Sequence, residues 1–198
     1  MAFVEREDIL DFVAYSERRD AIRASAMAAK DLRRVHLGDQ LTFLFENRET
    51  IRYQVLEMVR AEQMVKEADI RHELDTYNAV LGGPGELGCT LLIEITDEQE
   101  RAVLLRRWRR LPEHIFLVCE GGTRIRARFD ESQMSDDKLS SVQFLRFELG
   151  GHLPAGLACD LPERVLETAL DGATREALQA DLASWPPPKA HGVQQPVR

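Results

Sequence analysis

Apolar residues recur along this chain in two periods, one near 3.6 and one of two, and the changes of period mark its elements. From Glu7 to about Arg34 there is no Gly or Pro, and Ala, Arg, Glu and Asp dominate. That predicts a long helix. Gly38 closes the short segment Val35–Leu37. Leu41–Glu46 (LTFLFE) is apolar on both faces, as a central strand is. Asn47 and Thr50 are suited to cap a second helix, about Thr50–Lys66. A third, about Asp69–Leu81, carries Ile70, Leu74, Tyr77 and Leu81 on one stripe. GGPG at Gly82–Gly85 ends it.

A strand follows at about Gly88–Ile95, and Thr96 or Asp97 caps a helix reaching about Arg110. Ile115–Glu120 and Thr123–Phe129 flank Gly121-Gly122, the signal of a hairpin whose turn needs positive φ twice. Val142–Leu149 is another strand and Thr174–Ala183 a last short helix. From Trp185 the chain reads WPPPKAHGVQQPVR, with no apolar period, which predicts a disordered Pro-rich tail. The order predicts an α+β fold, with N-terminal helices packed on a largely antiparallel sheet of about five strands. Residues 1–184 are expected to form a single domain and residues 185–198 the tail.

The polar exceptions to this pattern carry the candidate chemistry. At about 100° per residue, Arg19, Arg23, Lys30 and Arg34 fall in one stripe of the first helix. In the second, Ile51, Val55, Met58 and Val65 make an apolar face with Glu62 in its middle. Thr50, Gln54, Glu57 and Ala61 lie directly beside it. Glu46 follows LTFLF, and Glu94 sits inside LLIEI, where the pattern calls for apolar side chains. A buried carboxylate must be protonated, paired or bound to a cation. Three arrangements meet that demand. One is an ion-pair network pinning the first two helices, capped by Asn47, to the sheet. Another is a metal held by Glu46, Glu57, Glu62 and Glu94, with Gln54 and His72 near. Against it, the Glu-x-x-His pair of helical di-iron sites is missing, and His72 falls opposite the apolar stripe of its helix. The third is an anionic ligand held by the cationic stripe. GGPG lacks the Lys and Ser or Thr of a phosphate loop.

Composition sharpens this picture. The chain has 198 residues, 44% hydrophobic and 30% charged, with a net charge of -8. That excludes a wholly disordered chain and argues against non-specific nucleic-acid binding. Six Arg and Lys nevertheless lie between Arg18 and Arg34, so the charge is unevenly placed. Arg106-Arg107-Trp108-Arg109-Arg110 could grip an anion or a nucleic-acid strand. The same helix opens with Asp97-Glu98-Gln99-Glu100, so the helix dipole is the preferred account of the cluster. Cys89, Cys119 and Cys159 include no C-x-x-C and read as small buried side chains. No nucleophile motif is present. The start MAFVEREDIL is unlike a signal peptide, and no apolar run approaches the roughly 18 residues of a membrane span. The expected location is cytoplasmic, with no membrane association.

Arg33, Arg34 and Gly38, then Phe45, Glu46, Asn47, Thr50, Gln54, Glu57, Met58, Arg60 and Glu62, then Glu73, Leu74, Tyr77, Asn78 and Glu94, form a pattern. It resembles a bacterial family of uncharacterised proteins, a domain of unknown function. The resemblance is dense from about Tyr15 to Glu94. Members of that family look like companions of rubrerythrin-type and iron–sulfur oxidoreductase proteins. The resemblance therefore implies a redox or peroxide-stress setting and an iron-dependent redox protein as partner. It carries no cofactor and no activity over. An Asp-His-Pro-x-Tyr stretch of the family is replaced here by Asp160-Leu161-Pro162-Glu163-Arg164, without the His and the Tyr. Two expectations stand ahead of the weaker one of anion or nucleic-acid binding through Arg106–Arg110. One is a non-catalytic accessory or interaction protein. The other is a metal- or anion-binding protein or enzyme that uses the Glu/Gln/Arg constellation.

Overall fold

Asp11 starts the first helix, α1 (Phe12–Asp31), by accepting hydrogen bonds from the Val13 and Ala14 amides. The expected start at Glu7 is instead a separate 3-10 turn at Arg6–Asp8. The expected end at Arg34 is also moved. Arg34–Leu37 is a strand, β1, because Val35 and Leu37 alternate with Arg34 and His36 and point inward. It forms a hairpin with β2 (Leu41–Phe45), turning at Gly38. Every residue of β2 is buried, as its two-faced apolar run demands. These features belong to a computed structural model, which describes residues 3–130 and 137–185.

Asn47 caps α2 (Arg48–Ala61) in a reciprocal box. Its side chain accepts from the Thr50 amide, and the Thr50 hydroxyl accepts from the Asn47 amide. The helix stops at Ala61, well short of Lys66. Gln63 takes a φ of 49°, and the Met64 amide turns back to the Val59 carbonyl. α3 (Glu67–Leu81) then leads into β3 (Glu86–Ile93). Gly88 is required at this junction, since a Cβ there would lie 1.7 Å from the Val80 carbonyl oxygen. Asn78 of α3 clasps the backbone N–H and C=O of Val4 and so holds the chain start.

Asp97 caps α4 (Glu98–Arg107). β4 (Ile115–Cys119) turns through Gly121 and Gly122, both at positive φ, into β5 (Arg124–Arg126). The segment expected as one strand to Phe129 is broken at buried Ala127. β5 pairs with β4, while β6 (Arg128–Phe129) crosses to pair with β7 (Val142–Glu148). β8 (Pro154–Leu161) and β9 (Arg164–Ala169) complete the strands, and α5 (Gly172–Ala183) follows. Trp185, read as the first residue of the tail, packs edge-on against Phe3 with ring centroids 5.2 Å apart. Residues 186–198 of that tail lie outside the described residues.

The α+β fold is as expected, but it holds two antiparallel sheets rather than one. The first has the order β1-β2-β3-β7-β6 and the second β5-β4-β8-β9. Phe43, Phe45, Leu91, Leu145 and Phe147 on one face of the first sheet meet Ile115, Leu117, Leu157 and Cys159 of the second. A separate core of Tyr15, Ile51, Val55, Leu56, Val59 and Leu74 joins α1, α2 and α3 on the opposite side. The layers are thus helices, five-stranded sheet, four-stranded sheet, and the first layer boundary holds the cleft.

Candidate binding cleft

Strand alternation decides which side chains face the helices. Leu44 of β2 pairs with Thr90 of β3, and Thr90 with Phe144 of β7. All three are on the face opposite Phe43, Phe45 and Phe147. Glu46 follows β2 in the same alternation, anchored by its amide on the Gly88 carbonyl at 2.9 Å. Its carboxylate therefore points into the helix–sheet boundary, where it is 7% exposed. Thr50 donates to one oxygen at 2.5 Å and Thr90 to the other at 2.8 Å. Among the described residues no Arg or Lys forms an ion pair with Glu46.

The carboxylate faces a cavity of about 340 Å³. Lys30, Gln54, Tyr77 and Thr90 supply its other polar walls. Leu44, Ile51, Val80, Leu92 and Phe144 supply apolar ones. Lys30 comes from the last turn of α1, with its ammonium 5.4 Å from the centroid of the Tyr53 ring. Three residues singled out from the sequence, Lys30, Glu46 and Gln54, thus meet in one cleft, with Asn47 and Thr50 behind them. Thr90 and Tyr77 join them. The polar Thr90 inside an apolar strand was the available signal for the first of these.

The rest of the constellation does other work. Arg19 grips Glu57 with two nitrogens, at 2.8 and 3.0 Å, and the buried Tyr15 hydroxyl donates to the same carboxylate. Arg19 and Tyr15 hold the Glu57 carboxyl below its ordinary pKa of 4.5. Burial, then the Glu57 carboxylate, push the Tyr15 phenol well up. Arg23 donates to the Tyr53 hydroxyl at 2.7 Å. Arg34, exposed on β1, lies 3.8 Å from Asp31. The cationic stripe serves separate partners because α1 ends before Arg34 and only its first half faces Glu57.

Glu62 does not occupy a core position. It is the exposed C-cap of α2, because the helix ends before the wheel would bring it inward. Glu94 is exposed just past β3, where it accepts the Thr42 hydroxyl. The four carboxylates Glu46, Glu57, Glu62 and Glu94 therefore do not converge. Among the described residues no three His, Cys, Asp or Glu are placed to hold a metal ion. His72 is exposed. In the basic cluster, Trp108 is 4% exposed and sits under the Arg164 guanidinium at 4.6 Å, so it offers no face to a base. Arg107 pairs with Glu163, and Arg110 with Glu113. All three cysteines are buried and free, and burial raises each thiol pKa.

One buried ion pair lies outside the expected constellation. Arg33 binds Asp181 of α5 through two nitrogens, at 2.7 and 3.0 Å, and also donates to the Ala29 carbonyl. Arg33 and Asp181 are 148 residues apart in the chain, so no local periodicity reveals the pair. The family pattern that includes Arg33 was the only hint.

Fold and site together define an α+β protein of two stacked antiparallel sheets, with a polar-floored cleft beneath its N-terminal helices. The chain belongs to the family described as Protein of unknown function (DUF3501), which it matches over residues 3–182. It is similar to the crystal structure of a novel protein of unknown function from Burkholderia pseudomallei K96243. The identity is 32%, the TM-score is 0.83, and the match covers 91% of this chain and 100% of that one. No curated protein matches the chain. The expectation of an uncharacterised domain family is met. No helix among the described residues is long and apolar enough to cross a membrane.

Proposed function

We propose that the chain is a binding protein for a small organic molecule, and that the ligand places a cationic group on Glu46 in the helix–sheet cleft. The observation that supports this is a buried carboxylate that faces a cavity and has hydroxyls but no cation for partners. Burying a charge is costly unless it is paired, and an ammonium in the cleft supplies the pair. The half-apolar lining is what small-molecule sites use to hold a ligand body. The proposed role is capture rather than turnover, with the Thr50 and Thr90 hydroxyls orienting the carboxylate for a ligand.

Thermal-shift measurements with amine-bearing compounds, from simple alkylamines to amino acids, test the reading. A ligand at about 100 times its Kd stabilises by about 2.7 kcal/mol. At least one compound is expected to raise the melting midpoint, and Gln54→Trp, which fills the cleft, is expected to abolish the rise. No response from any compound, or a response untouched by Gln54→Trp, refutes it.

The family resemblance supports a setting for this binding. The chain is read as a cytoplasmic accessory to an iron-dependent redox protein of the rubrerythrin or iron–sulfur oxidoreductase kind. Residues 1–184 would act there as one domain, a reading supported by the Arg33–Asp181 pair between its two ends. A pulldown that recovers no such partner removes this setting without touching the cleft.

A further inference from the structure

The cleft carries two charges of opposite sign that do not meet. Among the described residues, Glu46 takes the hydroxyls of Thr50 and Thr90 and no cation. Lys30 lines the same cavity, half-buried, and its ammonium rests near the Tyr53 ring rather than on a carboxylate. No ion pair joins the two, although both border one space of about 340 Å³.

This arrangement selects by charge. A monocation gains Glu46 but is repelled by Lys30, and a monoanion meets the reverse. A molecule with both an ammonium and a carboxylate satisfies both walls and leaves the cleft neutral. Gln54 borders the cavity and carries both a donor and an acceptor, so it can bond either end. Leu44, Leu92 and Phe144 leave the remaining wall apolar. The volume lies near the bottom of the roughly 300–1,000 Å³ range of small-molecule pockets, which suits a single amino acid rather than a peptide or nucleotide. Resting on the cleft as the binding site, we infer that its ligand class is a small zwitterion with an apolar body. The ammonium sits at Glu46 and the acid group faces Lys30.

Matched triplets of probes test this by titration calorimetry. They are leucine, isopentylamine and isocaproate; phenylalanine, phenethylamine and hydrocinnamate; and aminocaproate, hexylamine and caproate. In at least one triplet the zwitterion is expected to bind about tenfold or more tighter than either relative. Lys30→Met is expected to remove that advantage without weakening the amine. The inference is overturned if no zwitterion outbinds its matched amine, or if the advantage survives Lys30→Met. Amines that bind and are lost in Gln54→Trp, with no zwitterion advantage, leave the cleft reading intact and end this inference alone. No binding by any member of any triplet ends both.

Discussion

Asp181 and Glu46 are buried to the same extent, 7% exposed each, yet they are satisfied in opposite ways. Asp181 also borders a cavity, but it lies in the two-pronged grip of Arg33, so its charge is already paired. Glu46 lies against a cavity, with two hydroxyls for partners. The difference teaches that burial alone does not separate structural from functional carboxylates in this fold. Both border a cavity, so what separates them is whether a protein cation already holds the carboxylate. Glu57 belongs with Asp181, because Arg19 and Tyr15 occupy it.

The largest effect is expected from opening the closed pair. Asp181→Asn leaves the Arg33 guanidinium buried and uncompensated, and should cost about 3–5 kcal/mol in urea unfolding. The double change Arg33→Met with Asp181→Leu should recover most of that loss, since an apolar pair of similar size has no charge to desolvate. If the single change is nearly silent, the pair does not close the fold and the comparison breaks. A smaller effect is expected from Tyr15→Phe, which removes one donor from Glu57. The loss should be about 1.5–3 kcal/mol, because the bond is to a charged group.

The same network sets a pH dependence. The folded Glu57 carboxyl has a lowered pKa, so the stability it contributes is present above its ordinary value of 4.5 and is lost as the pH falls through the lower folded value. Glu57→Gln should flatten that part of the acid-unfolding curve. An unchanged curve would show that Arg19 and Glu57 are not coupled in solution.

Parts of this arrangement were legible in the chain and parts were not, for physical reasons. The Asn47–Thr50 cap, the Gly121-Gly122 turn and the fully buried Leu41–Phe45 strand follow from local rules, and each stands where those rules place it. β8 has no local signal, because Pro154, Ala155, Gly156 and Ala158 give it little β-propensity, and its burial comes from the neighbouring strands β4 and β9. Glu62 and Val65 lie off the face a helical wheel gives them, because the wheel assumes a helix that continues and this one ends at Ala61. Glu46 was legible because the alternation of LTFLF continues through it. Whether its partner is an Arg or a void is a tertiary fact that no periodicity contains. Arg33 and Asp181 meet only because α5 returns to the end of α1.

The smallest stability effect is expected at Glu46, and it bears most directly on the central claim. Glu46→Gln removes a charge that has no cation partner, so in the ligand-free protein it should shift stability by no more than about 1 kcal/mol. The same change should abolish binding of the amine-bearing probes. Urea unfolding and calorimetric titration of this one variant give the test. Preserved stability with lost binding is the predicted result. A loss as large as that of Asp181→Asn, with probe binding intact, would contradict the account and make Glu46 one more structural carboxylate.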